Sequence, residues 1–216
     1  FAHVFLEPGT TLCAVFTAAG FFTAPVMTYF LVEGYGYTRS KKKYFQRLLL
    51  FAILSEIPYY YALGFGNLNM LFTLSICFLI ICVHKNVENP ALRTGAKVLL
   101  VFASLFCDWA LLAPVYTLFF LWAEGDRKKT AIAYGFATGI FAALLLAESV
   151  MEGLTGLSLA AHLLYASGVA AAGVCIVCFY NGKRMERGRT FSKWFFYLFY
   201  PGHLLVLYVI KMYTAG

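Results

Sequence analysis

A histidine lies deep inside one apolar stretch of this chain, FSKWFFYLFYPGHLLVLYVIK. Counted from Lys193, His203 is about 15 Å along a helix, near the middle of a hydrocarbon layer roughly 30 Å thick. An ionisable group at that depth requires a partner, a water-filled cavity or a function. Pro201 lacks a backbone donor, so we expect a kink that frees the Tyr197 carbonyl. His203 is therefore a candidate general base, and the alternative is a neutral histidine bonded to a neighbouring helix.

Two acidic residues could assist that base. Glu56, in LLFAILSEIPYYY, lies twelve residues beyond Tyr44, about 18 Å into the membrane along a helix. At that depth desolvation favours a carboxyl group that is protonated or paired. It could carry a proton or partner a histidine, or it could bond a neighbouring helix as a neutral acid. Asp108, in the Cys107-Asp108-Trp109 turn, could orient a catalytic imidazole. Its alternative role is to N-cap the helix that follows.

A basic segment with interleaved tyrosines follows Glu33, the acidic residue at the end of the first apolar stretch. Such a segment could hold a phosphorylated, aromatic ligand by charge-assisted contacts and stacking. The alternative is an ordinary cytoplasmic loop that attracts anionic lipid. The basic residues considered for the ligand are Arg39, Lys42, Lys43 and Arg47.

The composition excludes a soluble globular domain. Hydrophobic residues make up 62% of the 216 positions, charged residues only 12%, and the mean hydropathy is +0.76. The net charge of +7 does not indicate nucleic acid binding, because the basic residues lie in short loops between apolar stretches. Nearly all six cysteines lie in apolar stretches, and Cys175-x-x-Cys178 lacks the βαβ context of a redox motif. We find no phosphate loop, nucleophile elbow or zinc-ligand pair, and we predict no metal site.

The apolar stretches predict an all-α, polytopic transmembrane bundle that forms a single domain over residues 1–216. About eight spans can be drawn, and about nine if a helix precedes this sequence. Loops 64–69 and 150–157 contain no basic residue, which predicts that the basic loops are cytoplasmic. The predicted spans are 11–32, 44–63, 70–83, 90–107, 111–123, 131–149, 158–180 and 193–210.

Four blocks of the sequence resemble, in order, those of the TraX family, whose namesake is associated with N-acetylation of conjugative pilin. They are FFTAPVMTYFLVEGYGYTRSKKKYFQRLLLFAILSEIP, NLNMLFTLSICFL, DWALLAPVYTLFFLW and WFFYLFYPGHLLVLYVI. The resemblance covers about residues 20–210 and implies a polytopic acyltransferase of the bacterial inner membrane. It implies acetyl-CoA as co-substrate, and a peptide, pilin or glycan acceptor whose amine or hydroxyl is acylated. It implies no metal and no nucleic acid partner.

The resemblance also assigns roles to individual residues. The expected catalytic group is His203, Glu56, Asp108 and Tyr200, with Tyr200 or backbone amides freed near Pro201 stabilising an oxyanion. The expected residues for acyl-CoA are Glu33, Arg39, Lys42, Lys43, Arg47 and Asn69. The chain departs from the family in two places: residues 20–25 lack the arginine expected there, and the first family helix, usually ending in Asp-His, is absent unless His3 is its remnant.

Two other functions are compatible with the residues. A proton-coupled transporter or permease could use Glu56, Asp108 and His203 as a relay across the membrane. No two-fold repeat or pair of broken helices supports that reading. A non-catalytic membrane scaffold would use the basic loops for topology alone.

Overall fold

The computed structural model describes residues 10–64, 66–151, 153, 156–182 and 189–214, and within these ranges it contains helices and loops but no strand. Residues Ser104–Phe106 form a 3-10 turn, and Cys175–Phe179 form a π-helical segment. Each predicted span corresponds to one of the helices listed next. The helices are α1 (Thr11–Tyr37), α2 (Lys41–Leu63), α3 (Met70–Asn86), α4 (Pro90–Ala103), α5 (Leu112–Ala123), α6 (Arg127–Met151), α7 (Gly156–Val174) and α8 (Arg189–Thr214).

Four segments in the described part of the chain are long and apolar enough to cross a membrane: Thr11–Tyr37, Arg127–Met151, Leu159–Phe179 and Trp194–Tyr213. The helices α3 and α5 are apolar but shorter. The prediction of an all-helical membrane protein is confirmed at this level. The count of about eight spans, the cytoplasmic side of the basic loops and the single domain over residues 1–216 stay predictions.

Capping side chains determine where several helices begin. Ser40 accepts a hydrogen bond from the Lys43 amide, so α2 begins before the apolar stretch does. Asn89 accepts from two amides of the first turn of α4, whose first residue is Pro90. Asp126 caps α6 in the same way, through the amides of Lys128 and Lys129.

The first compact unit comprises Phe1–Gly36 and Leu111–Tyr180. Within it α6 packs against α5 and α7. Two glycines of α7 allow close helix contacts, since a methyl group on Gly168 would lie 2.1 Å from the Ala18 carbonyl oxygen. A methyl group on Gly173 would lie 2.8 Å from Cβ of Tyr134. Small residues are a frequent means of close packing between membrane helices.

The second compact unit comprises Tyr37–Ala110 and Asn181–Gly216. Here α2 packs against α8 and α3, and α3 packs against α4. The ring of Phe51 stacks on Tyr197 at 5.0 Å and that of Tyr61 lies 5.2 Å from Tyr208, so α2 and α8 run in parallel. The Lys211 ammonium donates to the Ala62 carbonyl at the end of α2.

Candidate functional site

Glu56 and Asn69 form the centre of a polar cluster in the second unit. The Asn69 amide nitrogen donates to Glu56 Oε2 at 2.6 Å and to the Ala52 carbonyl at 2.8 Å. The Asn69 backbone amide also donates to Glu56 Oε2, at 3.2 Å. Asn69 is fully buried. These bonds hold the start of α3 beside the middle of α2, about 10 Å before α2 ends at Leu63.

The start of α3 also binds Tyr200. Asn69 caps this helix by accepting from the Leu71 amide at 3.0 Å. The next free amide, that of Met70, donates to the Tyr200 hydroxyl at 3.2 Å. The first amides of a helix carry a partial positive charge, which favours an oxygen at this position. The hydroxyl proton of Tyr200 has no acceptor among the described residues, so it is available to a ligand.

Asp108 lies in a strained turn next to this cluster. The Asp108 amide donates to the Leu68 carbonyl at 2.7 Å and the Leu68 amide donates to Phe106, so the turn is fixed to the segment before Asn69. Thr73 of α3 donates to the Asp108 carbonyl. Burial raises the pKa of the Asp108 carboxyl group, although the Trp109 amide donates to it. Trp109 has φ of 55°, a conformation rare for residues with side chains.

The Asp108 side chain does not cap the next helix. The N-cap residue of α5 is Leu111, without a side-chain hydrogen bond, whereas Asp108 Oδ1 accepts from its own neighbour Trp109 at 2.9 Å. The capping alternative is therefore wrong. The carboxyl group instead lies close enough to Tyr200, Tyr59 and Cys107 for its charge to act on them.

His203 lies at the edge of the cluster. Two ring contacts join α2 to α8, Phe51 with Tyr197 and Tyr61 with Tyr208. Glu56 and His203 each lie midway between these contacts on their own helix, so they are at the same level. Its half-exposed ring stacks on Phe199 with centroids 5.3 Å apart and meets the Tyr200 ring edge-on at the same distance. Its Nδ1 lies 3.1 Å from the Phe199 carbonyl oxygen. The helix α8 runs through Pro201 without a break.

His203 forms no hydrogen bond with the carboxyl group of Glu56 or Asp108 within the described part of the chain. The expected pairing of His203 with Glu56 or Asp108 is replaced by contact with Tyr200, whose hydroxyl reaches the start of α3. Because a carbonyl can only accept, the Nδ1 atom of His203 must carry the proton in this hydrogen bond. Its Nε2 then has a free lone pair.

The basic residues predicted to bind acyl-CoA lie near the start of α2. Arg39, Lys42 and Lys43 are exposed, while Arg47 is half-buried. The guanidinium of Arg47 lies beside Tyr44 and Tyr197, and its Nε is buried without a partner among the described residues. Arg47 precedes Glu56 on α2 by about 14 Å.

The other two residues predicted to bind acyl-CoA are Asn69 and Glu33, and for both this role stays a prediction. Asn69 is buried and donates hydrogen bonds to Glu56 and to the Ala52 carbonyl, so it holds the start of α3 in position. Glu33 lies in the first unit, where Tyr180 donates a hydrogen bond to its carboxyl group. His3 lies outside the described residues. Sequence reasoning missed Tyr59 and Thr73, which follow Glu56 and Asn69 by one helical turn.

Comparison with known proteins identifies the family. The profile described as "TraX protein" matches residues 5–211. A curated relative, "Probable fimbrial assembly protein FimC, serogroup H1" of Dichelobacter nodosus, is 30% identical over 228 residues, which cover 98% of this chain and 89% of the relative. No solved structure matches the chain. The match over almost the full length shows that this chain belongs to the TraX protein family.

Proposed function

We propose that this protein is a membrane-embedded acyltransferase that acts in pilin maturation. It moves an acetyl or short acyl group from acyl-CoA to an amine or hydroxyl, and the N-terminal amine of a pilin subunit is the favoured acceptor. Membership of the TraX family and the similarity to a protein named for fimbrial assembly support the pilin role. The acyl transfer itself is supported by the chemistry of the second unit. The basic ends of its helices face the cytoplasm of a bacterial cell, in the inner membrane.

The observation that carries the proposal is the pairing of His203 with Tyr200. The Phe199 carbonyl fixes the proton on Nδ1 of His203, so Nε2 is the basic nitrogen. The adjacent Tyr200 hydroxyl is polarised by the Met70 amide and has its own proton to donate. A base and a hydrogen-bond donor on one face of α8 are the two groups that acyl transfer requires.

The reaction can be written with these two residues. The acceptor nitrogen attacks the thioester carbon while His203 Nε2 takes one of its protons. The carbonyl oxygen becomes an oxyanion and accepts a hydrogen bond from Tyr200. When the carbon–sulfur bond breaks, the imidazolium returns the proton to the sulfur of CoA. The amide and free CoA are the products, and no external oxidant or reductant is needed.

The other cluster residues act by positioning Tyr200. Glu56 and Asn69 hold the first turn of α3 in place, and this turn supplies the Met70 amide that binds Tyr200. Asp108 fixes the segment that precedes Asn69 through its backbone. We therefore expect substitutions at Glu56 and Asn69 to act through Tyr200 and not through direct contact with the acyl group.

The acyl donor would enter from the start of α2. Arg39, Lys42 and Lys43 are exposed cations suited to the CoA phosphates, and Arg47 offers a half-buried guanidinium beside Tyr44 and Tyr197. The thioester must then reach about 14 Å beyond Arg47 along α2 to come level with Glu56 and His203. The pantetheine arm of CoA is a long, unbranched chain and is suited to covering this distance.

The experiment is acyl transfer by the purified full chain in lipid nanodiscs. Labelled acetyl-CoA is mixed with a peptide that matches a pilin N-terminus, in a free and a pre-acetylated form. Label should enter only the free peptide, and His203→Gln should lower the rate about 10²- to 10⁴-fold. His162→Gln provides the matched control because His162 lies in the first unit and bonds Ser149.

Three results would count against the proposal. Label could fail to reach the peptide or any acceptor from a cell lysate, transfer could survive His203→Gln, or acetyl-CoA could fail to raise the melting temperature. The last result would favour a scaffold. Proton-coupled solute flux in proteoliposomes, without acyl transfer, would favour a transporter that uses Glu56 and Asp108.

A further inference from the structure

The first unit contains a carboxylate that the proposed reaction does not use. Glu33 lies one turn before the end of α1, and its carboxyl group accepts a hydrogen bond from Tyr180. Its Oε2 atom is nevertheless buried with no hydrogen-bond partner among the described residues. A buried acidic oxygen without a hydrogen-bond donor is unfavourable, because it has lost its water contacts and gained nothing in return. A site of this kind calls for an occupant that carries N–H or O–H groups.

Aromatic rings pack around Tyr180, the residue that donates to this carboxylate, and two of them, Tyr29 and Phe30, precede Glu33 by about one helical turn. The Tyr180 ring meets Phe30 at 5.1 Å and Tyr29 at 6.2 Å, both nearly edge-to-face. The Tyr29 ring in turn meets Phe120 at 5.6 Å. Phe30 is 40% exposed, so the group is accessible from one side. The faces of such rings carry partial negative charge and attract cations, especially organic ammonium groups.

The local backbone is shaped to place Tyr180 there. The π-helical segment Cys175–Phe179 ends at the residue before Tyr180, and π turns are frequent at functional sites. Arg127 stabilises this segment by donating to the carbonyls of Val177 at 2.5 Å and Cys178 at 3.3 Å. The absence of a side chain at Gly173 lets Tyr134 lie directly against the same helix. Arg127 and Tyr134 therefore both contact the helical segment that precedes Tyr180.

We propose that Glu33, Tyr29, Phe30 and Tyr180 form a binding site for an organic ammonium group. The ammonium N–H groups would satisfy Glu33 Oε2, and the rings would enclose its alkyl substituents. A divalent metal is less suitable, because no three acidic, histidine or cysteine side chains converge within the described residues. This assignment replaces the expectation that Glu33 binds CoA, since a carboxylate repels phosphate. It does not depend on the acyltransferase proposal, because binding can be measured without an acyl donor.

Thermal unfolding of the purified full chain in detergent provides the test. The melting temperature is recorded against n-butylammonium chloride at constant ionic strength, with potassium chloride and n-butanol as the inorganic and neutral comparisons. We expect a saturable rise with butylammonium alone. Glu33→Gln should weaken binding at least about tenfold. Glu148→Gln, on an exposed position of the same unit, should leave it unchanged.

A second variant and a lipid comparison keep the test sharp. Tyr180→Phe keeps the ring and loses the hydroxyl, so it should weaken binding less than Glu33→Gln. If nanodiscs of phosphatidylethanolamine abolish the response and nanodiscs of phosphatidylglycerol do not, the natural ammonium group is a lipid headgroup. If the response persists in both, it is a soluble amine. The proposal would be overturned if potassium and butylammonium raised the melting temperature equally, or if Glu33→Gln bound butylammonium as the wild type does. A failure of butylammonium to raise the melting temperature in either lipid would overturn it too.

Discussion

The sharpest stability prediction concerns two asparagines that cap helices of the second unit. Asn69 is buried and caps α3, while Asn89 is exposed and caps α4. Both accept hydrogen bonds from first-turn amides. Only Asn69 also donates, to Ala52 and to Glu56. Alanine at either position removes a cap, and alanine at Asn69 also removes the two donated bonds.

The magnitudes follow from these contacts. Loss of the cap should cost about 1 kcal/mol in both variants. The two bonds donated by Asn69 add roughly 0.6 kcal/mol each, the average for such bonds between membrane helices. Glu56 Oε2 keeps the Asn69 backbone amide as a donor in the alanine variant, so no further cost is added. Asn69→Ala should therefore destabilise the protein by about 1 kcal/mol more than Asn89→Ala.

Reversible unfolding of both variants in mixed detergent micelles measures this difference. A signal from the second unit is needed, and the fluorescence of Trp194, which lies beside Phe51 and Tyr197, supplies one. Equal losses of unfolding free energy in the two variants would refute the reasoning. They would show that the Asn69–Glu56 contact contributes nothing to the stability of the unit.

Two further predictions concern the first unit. Gly168→Ala should destabilise it by about 1–3 kcal/mol in thermal unfolding, because the new methyl group would overlap the Ala18 carbonyl. Gly139→Ala, with open space around it, should be neutral or slightly stabilising; equal effects would contradict the close contact. The amides of Lys129 and Lys128 hold the pKa of the Asp126 carboxyl below its usual value near 3.8. This stabilising contribution is present above pH 3.8 and is lost as the pH falls through the lower native pKa. When the free energy of unfolding is measured against pH in the acid range, Asp126→Ala should therefore lose less of it than the wild type. A parallel loss in both proteins would exclude the cap as its source.

The helices could be predicted from the sequence because apolar stretches and capping residues are local signals. The eight stretches correspond to helices, and asparagine, a common capping residue, precedes both α3 and α4. The boundaries were less accurate: α1 continues through Glu33 to Tyr37, and α6 begins at Arg127, where Asp126 caps it. Hydropathy reports where a helix meets lipid, whereas backbone hydrogen bonds decide where the helix ends.

The arrangement of the candidate site could be predicted only in part. Glu56, Asn69, Asp108 and Tyr200 were chosen separately, and the structure brings them together in one unit. The link between Tyr200 and the Met70 amide joins residues 130 positions apart, and no local pattern predicts it. The contact of His203 with Tyr200 is different, because residues three positions apart on one helix are neighbours and the spacing alone brings them together.

The most direct test of the central claim is a paired substitution on α8. Tyr200→Phe removes the hydroxyl that binds the Met70 amide, and Tyr208→Phe removes a hydroxyl two turns away whose ring packs on Tyr61. With labelled acetyl-CoA and the pilin peptide under single-turnover conditions, we expect Tyr200→Phe to lower the transfer rate about 10²- to 10³-fold and Tyr208→Phe to leave it unchanged. Equal rates for the two variants and the wild type would contradict the placement of acyl transfer at this tyrosine.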